Sequence, residues 1–321
     1  MEYIIIAAAF FGIMAGADWL VDGAVSIAKR FRLSEFVIGA AIVGIGTSMP
    51  ELAVSMVGAA QGNADIAIGN VVGSNIFNIL GILGLTAVFF PIAVDRDNMR
   101  FEIPFCIFVT ILMILLLFNF FTGSEPVLGR IDAMVLLLMF AIFMSYSLWR
   151  GRQNSSDTPQ HADEASPLWK SVAKTAAGLA LLAFSCDQFV DNAVIIAKSW
   201  GASDAFISIT LIACGTSLPE LAASVTAALK KNTSLALGNI VGSNIFNITL
   251  ILGLTPLVTP LHPSGITSAD YLVMTAAVVA LPLAGARGKI SRGAGIIMLC
   301  GFIAYNCSLI LSQTSLHTML E

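Results

Sequence analysis

Charge is scarce in this chain. Only 11% of its 321 residues are Asp, Glu, Lys or Arg, while 57% are hydrophobic; a soluble globular domain carries about a quarter of its residues charged. So few charges cannot cover a water-facing surface, which excludes an ordinary soluble enzyme and points to a chain threaded repeatedly through a bilayer. Histidine is scarcer still: His161, His262 and His317 are the whole supply, and all fall in loops or the tail. A Ser–His pair has no candidate, so no enzyme is expected. The five cysteines (Cys106, Cys186, Cys214, Cys300, Cys307) are odd in number, form no CxxC pair and lie inside apolar segments. They read as small hydrophobes rather than disulfides or metal ligands. The N-terminal run MEYIIIAAAFFGIMAGADWL has no basic flank and reads as a retained first helix, not a cleaved signal peptide.

Long apolar segments are what the chain has instead. Runs of membrane-spanning length, about 20 residues each, fall near 3–28, 36–60, 65–90, 101–121, 129–149, 169–197, 204–229, 234–259, 267–286 and 293–313. The expected fold is an all-α membrane protein of ten transmembrane helices. The long polar stretch RGRQNSSDTPQHADEASP reads as a flexible linker over 151–168, dividing residues 1–150 from 169–321. With the N-terminus outside, alternate loops on the inner side hold 14 of the 16 Lys and Arg residues, leaving Arg130 and Lys198. By the positive-inside rule this predicts outward-facing N- and C-termini and a cytoplasmic linker, in an inner (plasma) membrane. The expected surroundings are the lipid bilayer, with no nucleic acid.

The two halves repeat. A shift of 169 residues lays GTSMPELAVSM on GTSLPELAASV, and IAIGNVVGSNIFNILGILGLT on LALGNIVGSNIFNITLILGLT. Between Gly46 and Thr86, 26 of 41 aligned positions are identical. In the preceding span Asp18, Asp22 and Lys29 fall on Asp187, Asp191 and Lys198. Five spans per half is an odd number, so the second half must enter the membrane inverted, an architecture common among transporters with a site near the midplane. One chain holding both halves is expected to function as a monomer.

The duplicated motif places a proline beside a glutamate within an apolar run. If span two is a helix, Thr47, Ser48, Glu51 and Ser55 lie on or near one face. Pro50 lacks an N–H and crowds the Gly46 carbonyl, so oxygens around Gly46 and Thr47 are expected to face a cavity. Asn70, Ser74 and Asn78 recur every four residues on span three, and the second half supplies Thr216, Ser217, Glu220, Asn239, Ser243 and Asn247. Carboxylates, hydroxyls, amides and carbonyls are the oxygen set that hard cations such as Ca²⁺ and Na⁺ require. No histidine recurs in the motif, and Cys214 has no counterpart in the first half, which argues against zinc or copper. No Lys or Arg occurs from Leu33 to Asp95 or from Gly201 to Leu229. A mobile cation is therefore expected to neutralise Glu51 and Glu220, whose burial in lipid is costly. Asp18, Asp22, Asp187 and Asp191 fit two readings, an ion pathway or helix anchors near Lys29 and Lys198; anchoring is favoured.

At these residues the sequence resembles the calcium/cation antiporter superfamily, in particular its prokaryotic sodium/calcium exchangers. The paired GTSxPE and GNxxGSNxFN segments are similar to that family's two repeats. The resemblance implies a secondary antiporter that exchanges Ca²⁺ for Na⁺ by alternating access, without a resident cofactor. A Ca²⁺/H⁺ exchanger of the same architecture is the alternative; a channel would need identical subunits to repeat what one chain already contains. The resemblance further implies that Glu51 and Glu220 are central calcium ligands, joined by Thr47, Ser48, Thr216 and Ser217. Ser74, Ser243 and the carbonyls of Gly44 and Ala213 would line flanking sodium sites. Asn78 and Asn247 would sit at the midplane; some members carry aspartate where this chain has Asn247. The first and sixth spans resemble the family's sliding pair.

Overall fold

The computed structural model describes residues 1–31, 33–120, 125–153, 167–200 and 215–320. The first half supplies α1 (Glu2–Phe31), α2 (Glu35–Thr47), α3 (Met49–Ala60), α4 (Ala64–Phe89), α5 (Asn98–Leu117) and α6 (Arg130–Gln153). The second supplies α7 (Leu168–Ser199), α8 (Leu218–Leu229), α9 (Thr233–Val258), α10 (Ser268–Gly285) and α11 (Arg292–Leu320). Among the described residues, eight helices are long and apolar enough to cross a bilayer, and the bent pair α2–α3 makes nine. The expected span 204–229 begins in residues 201–214, outside the described residues; α8 is its described remainder. The chain is an all-α membrane protein. One boundary differs from expectation: α6 continues to Gln153 and α7 starts at Leu168, so helix intrudes on both ends of the 151–168 linker, whose residues 154–166 lie outside the described ones.

Burial identifies the centre. In α4 and α9, 72% and 94% of the most apolar stretch is buried against protein, whereas α11 buries only 11%. The glycines of the duplicated segment make this centre tight: a Cβ at Gly238 of α9 would stand 2.3 Å from the Phe36 carbonyl oxygen of α2. Only a residue without a side chain permits that approach. Asn63 caps α4, its Oδ1 accepting the Ile66 N–H at 3.2 Å. Both central helices widen into one π-helical turn, over Phe77–Leu83 in α4 and Asn247–Ile251 in α9. Such turns concentrate at functional sites.

Short backbone pairings stitch the halves together. Strand β1 (Ile92–Ala93), after α4, pairs antiparallel with β2 (Lys289–Ile290), before α11. Leu128, before α6, bridges Leu261, after α9. Each half thus gives its loop after the central helix to the other half's loop before the last one. The long helices α1 and α7 cross backbone to backbone: a Cβ at Gly16 would lie 2.6 Å from the Leu182 nitrogen.

Candidate functional site

The two duplicated prolines begin helices rather than kink them. The chain bends by 46° between α2 and α3, with Ser48 (φ −84°, ψ 9°) at the break and Pro50 in the first turn of α3. Pro219 and Glu220 occupy the same places in α8 after Ser217. This corrects the single-helix reading of span two: the missing proline N–H falls where a helix start needs none. Glu51 and Glu220 consequently sit at helix N-termini, where the helix dipole favours negative charge.

Ser48 and Ser217 stand at the capping positions, yet neither hydroxyl caps its own helix. Each crosses to the other half instead. Ser217 Oγ donates to Glu51 Oε1 at 2.9 Å, and Ser48 Oγ donates to Glu220 Oε1 at 2.8 Å. Both glutamates are 0% exposed. Among the described residues no Lys or Arg pairs with either, and Oε2 of each is buried without a hydrogen-bond partner.

Amides hold this pair in place. Asn70 Nδ2 donates to the Glu51 carbonyl and to Ser55 Oγ, both at 3.0 Å. Asn239 Nδ2 repeats the arrangement with the Glu220 carbonyl at 3.2 Å and Ser224 Oγ at 2.9 Å. Asn70 and Ser55 therefore tie helices together. Thr47 Oγ1 faces Asn239 Oδ1 at 3.3 Å and the Gly44 carbonyl at 3.4 Å, and Ser243 Oγ reaches the same carbonyl at 3.4 Å. Among the described residues, the α2 carbonyl met by a side chain of the other half is thus that of Gly44. Ala213 lies outside the described residues.

Four asparagines close the interface between α4 and α9. Asn78 Nδ2 donates to Asn244 Oδ1, and Asn247 Nδ2 to Asn75 Oδ1, each at 3.0 Å. Asn75 and Asn244 were missed by following the four-residue stripe of Asn70, Ser74 and Asn78. Their signal was present: the identical GSNIFN segments contain two asparagines, not one.

Six side-chain oxygens of the duplicated segments are buried with no hydrogen-bond partner among the described residues: Oε2 of Glu51 and Glu220, Oδ1 of Asn78 and Asn247, Ser74 Oγ and Thr216 Oγ1. An unsatisfied buried acceptor costs about 1–3 kcal/mol. Buried oxygens without partners, two of them on carboxylates, suit one class of occupant, an electropositive species. Among the described residues no group of three or more His, Cys, Asp or Glu could hold a metal, so the oxygens are mixed hydroxyl, amide and carboxylate in the manner of a hard-cation site.

The acids of α1 and α7 behave differently. Lys230 Nζ contacts Asp18 at 2.6 Å and Asp22 at 2.5 Å, and Lys174 Nζ contacts Asp22 at 2.8 Å. The anchoring reading holds for this pair, but with Lys174 and Lys230 rather than Lys29, because the partners come from elements distant in sequence. Asp187 and Asp191 instead line a cavity of about 450 Å³ with Pro50, Val54, Thr216 and Pro219.

The helical bundle defines a multi-pass membrane protein, and its buried oxygens are of the kind hard cations require. The family model described as "Sodium/calcium exchanger protein" matches residues 1–149 and 170–311. The chain is 41% identical to the putative antiporter CaxA of Alkalimonas amylolytica, over 90% of this chain and 92% of that one. It is 34% identical to the inner membrane protein YrbG of Escherichia coli, over 91% and 92%. A solved structure of the sodium-calcium exchanger NCX_Mj matches with a TM-score of 0.83 at 32% identity, covering 96% of this chain and 98% of that one. The chain belongs to the sodium/calcium exchanger family and is an antiporter exchanging calcium and other cations.

Proposed function

We propose that the protein exchanges Ca²⁺ for Na⁺ across the inner membrane by alternating access, as a monomer. In this reading its ten helices form two inverted five-helix repeats, 1–150 and 169–321, with both termini outside and the linker cytoplasmic. The transported ions bind between the repeats. Glu51 and Glu220 hold Ca²⁺ together with Thr47, Ser48, Thr216 and Ser217. Ser74, Ser243 and the carbonyls of Gly44 and Ala213 line the flanking sodium sites, and Asn78 and Asn247 sit at the midplane. The observation that carries the reading is the reciprocal pair of bonds from Ser217 to Glu51 and from Ser48 to Glu220, around two acids with no basic partner among the described residues. Two desolvated carboxylates side by side repel one another, and cation entry relieves that repulsion. Alternating Ca²⁺ with Na⁺ in one oxygen set couples their fluxes without any further device.

Calcium flux in proteoliposomes under imposed sodium, potassium or proton gradients tests this. Uptake driven by a sodium gradient and indifferent to potassium and pH is expected. Uptake that follows the proton gradient alone would replace sodium with protons as the driving ion.

A further inference from the structure

We propose that Asn75 and Asn244 are positioning residues: they decide which end of the Asn78 and Asn247 amides faces the transported ion. This rests on the reading that Asn78 and Asn247 border the ion site.

An asparagine amide has a donating and an accepting end. Rotation by half a turn exchanges them and reverses the dipole a cation meets. Backbone geometry settles the choice here. Asn75 Nδ2 donates to the Asn244 backbone carbonyl, and Asn244 Nδ2 to the Asn75 backbone carbonyl, each at 3.3 Å. A carbonyl oxygen can only accept, so the NH₂ ends of both side chains are fixed. Their Oδ1 atoms must then point the other way, and there they receive Asn247 Nδ2 and Asn78 Nδ2. This uses the donating ends of Asn78 and Asn247 in turn. What remains is Oδ1 of each, buried and without a hydrogen-bond partner among the described residues. All four side chains are at most 1% exposed, so water does not compete for these bonds.

The circuit crosses between halves at every bond. Asn75 orients Asn247, and Asn244 orients Asn78. Each oriented residue lies three positions beyond the orienting residue of its own helix, on the same face. The π-helical turns begin at Phe77 and at Asn247 itself, so the amides being aimed lie where the backbone departs from regular α geometry.

Double-mutant cycles test the assignment, with half-saturating Ca²⁺ and Na⁺ for transport as readouts and thermal stability measured in parallel. Asn75→Ala is expected to raise half-saturating Ca²⁺ about tenfold in the parent, and to have no further effect once residue 247 is alanine. It should remain fully additive with Asn78→Ala. Asn244→Ala should show the converse, coupling to Asn78 and not to Asn247; this second cycle carries the test if the first variant does not fold. Additive effects on ion affinity across both Asn75/Asn247 and Asn244/Asn78 would overturn the proposal, leaving Asn75 and Asn244 as packing residues. If Asn78→Ala and Asn247→Ala alone leave both half-saturation values unchanged, it is the ion-site reading beneath the proposal that fails.

Discussion

Two sets of duplicated acids meet different fates in this molecule. Glu51 and Glu220 keep the same partner type in both halves, a serine from the opposite repeat. Asp18 and Asp22 are equally duplicated in sequence as Asp187 and Asp191, and among the described residues the first pair is clasped by Lys174 and Lys230. The residues that fall 169 positions before Lys174 and Lys230 are Ile5 and Gln61, neither of which carries a charge. The first acidic pair is latched by these lysines, and the second borders the cavity of about 450 Å³. That cavity touches Thr216 and both prolines at the helix breaks. The cavity on the latched side is walled by Asp22, Lys29, Lys170, Lys174 and Lys230, and includes none of the candidate ion-binding residues. Duplication of a residue together with its partner preserves chemistry seen equally from both sides. Duplication of a residue alone distinguishes the two faces. In the proposed orientation the latched face is the cytoplasmic one.

The largest test of this contrast is at the symmetric acids. Glu51→Gln and Glu220→Gln are each expected to reduce calcium flux by about 100-fold or more while the purified variants keep the wild-type helical content. Near-normal flux in either variant would break the equivalence of the two halves. A smaller difference is expected between Asn239 and Asn70. Asn239 is fully buried and also faces Thr47, so Asn239→Ala should lower stability by about 2 kcal/mol, against about 1 for the half-buried Asn70. Unfolding followed by tryptophan fluorescence in detergent reads both; equal losses would show that the Thr47 contact adds nothing.

The latch is weaker still. Its four side chains are 30–50% exposed, and exposed ion pairs contribute about 0–1 kcal/mol. Lys230→Gln should therefore shift the ratio of half-saturating Ca²⁺ at the two faces of oriented proteoliposomes by at most about fivefold. The shift should fade in about 1 M salt, where the Debye length is about 3 Å. A ratio indifferent to the substitution removes the latch from the account. The smallest effect is at the neighbouring residue. Lys231 has φ +63° where the first half has Gly62 at +72°, a left-handed turn that costs a side chain about 1 kcal/mol. Lys231→Gly should raise stability by about that amount and leave transport unchanged; a loss of stability would mean that the Lys231 side chain makes compensating contacts.

Sequence made the bundle legible because apolar length is a one-dimensional signal. The span expected at 65–90 is α4, Ala64–Phe89, and that at 234–259 is α9, Thr233–Val258. The glutamate–serine pairing was legible in kind, since duplicated polar residues in lipid must meet something. Which serine meets which glutamate was not, because the bonds join residues 166 and 172 positions apart. The latch escaped for the same reason: Lys230 lies 208 residues from Asp22. Pro50 was misread because proline in an apolar run fits a kinked helix and a fresh helix equally well. The ψ of Ser48, which decides between them, depends on tertiary packing.

The glycine crossing of α1 and α7 has a mechanical consequence. With no side chain at Gly16 to hold them apart, the two rods touch along bare backbone like planks laid flush, and nudging one presses directly on its neighbour. A single methyl at that crossing would act as a wedge. It would pry the seam open and loosen the grip of one rod on the other.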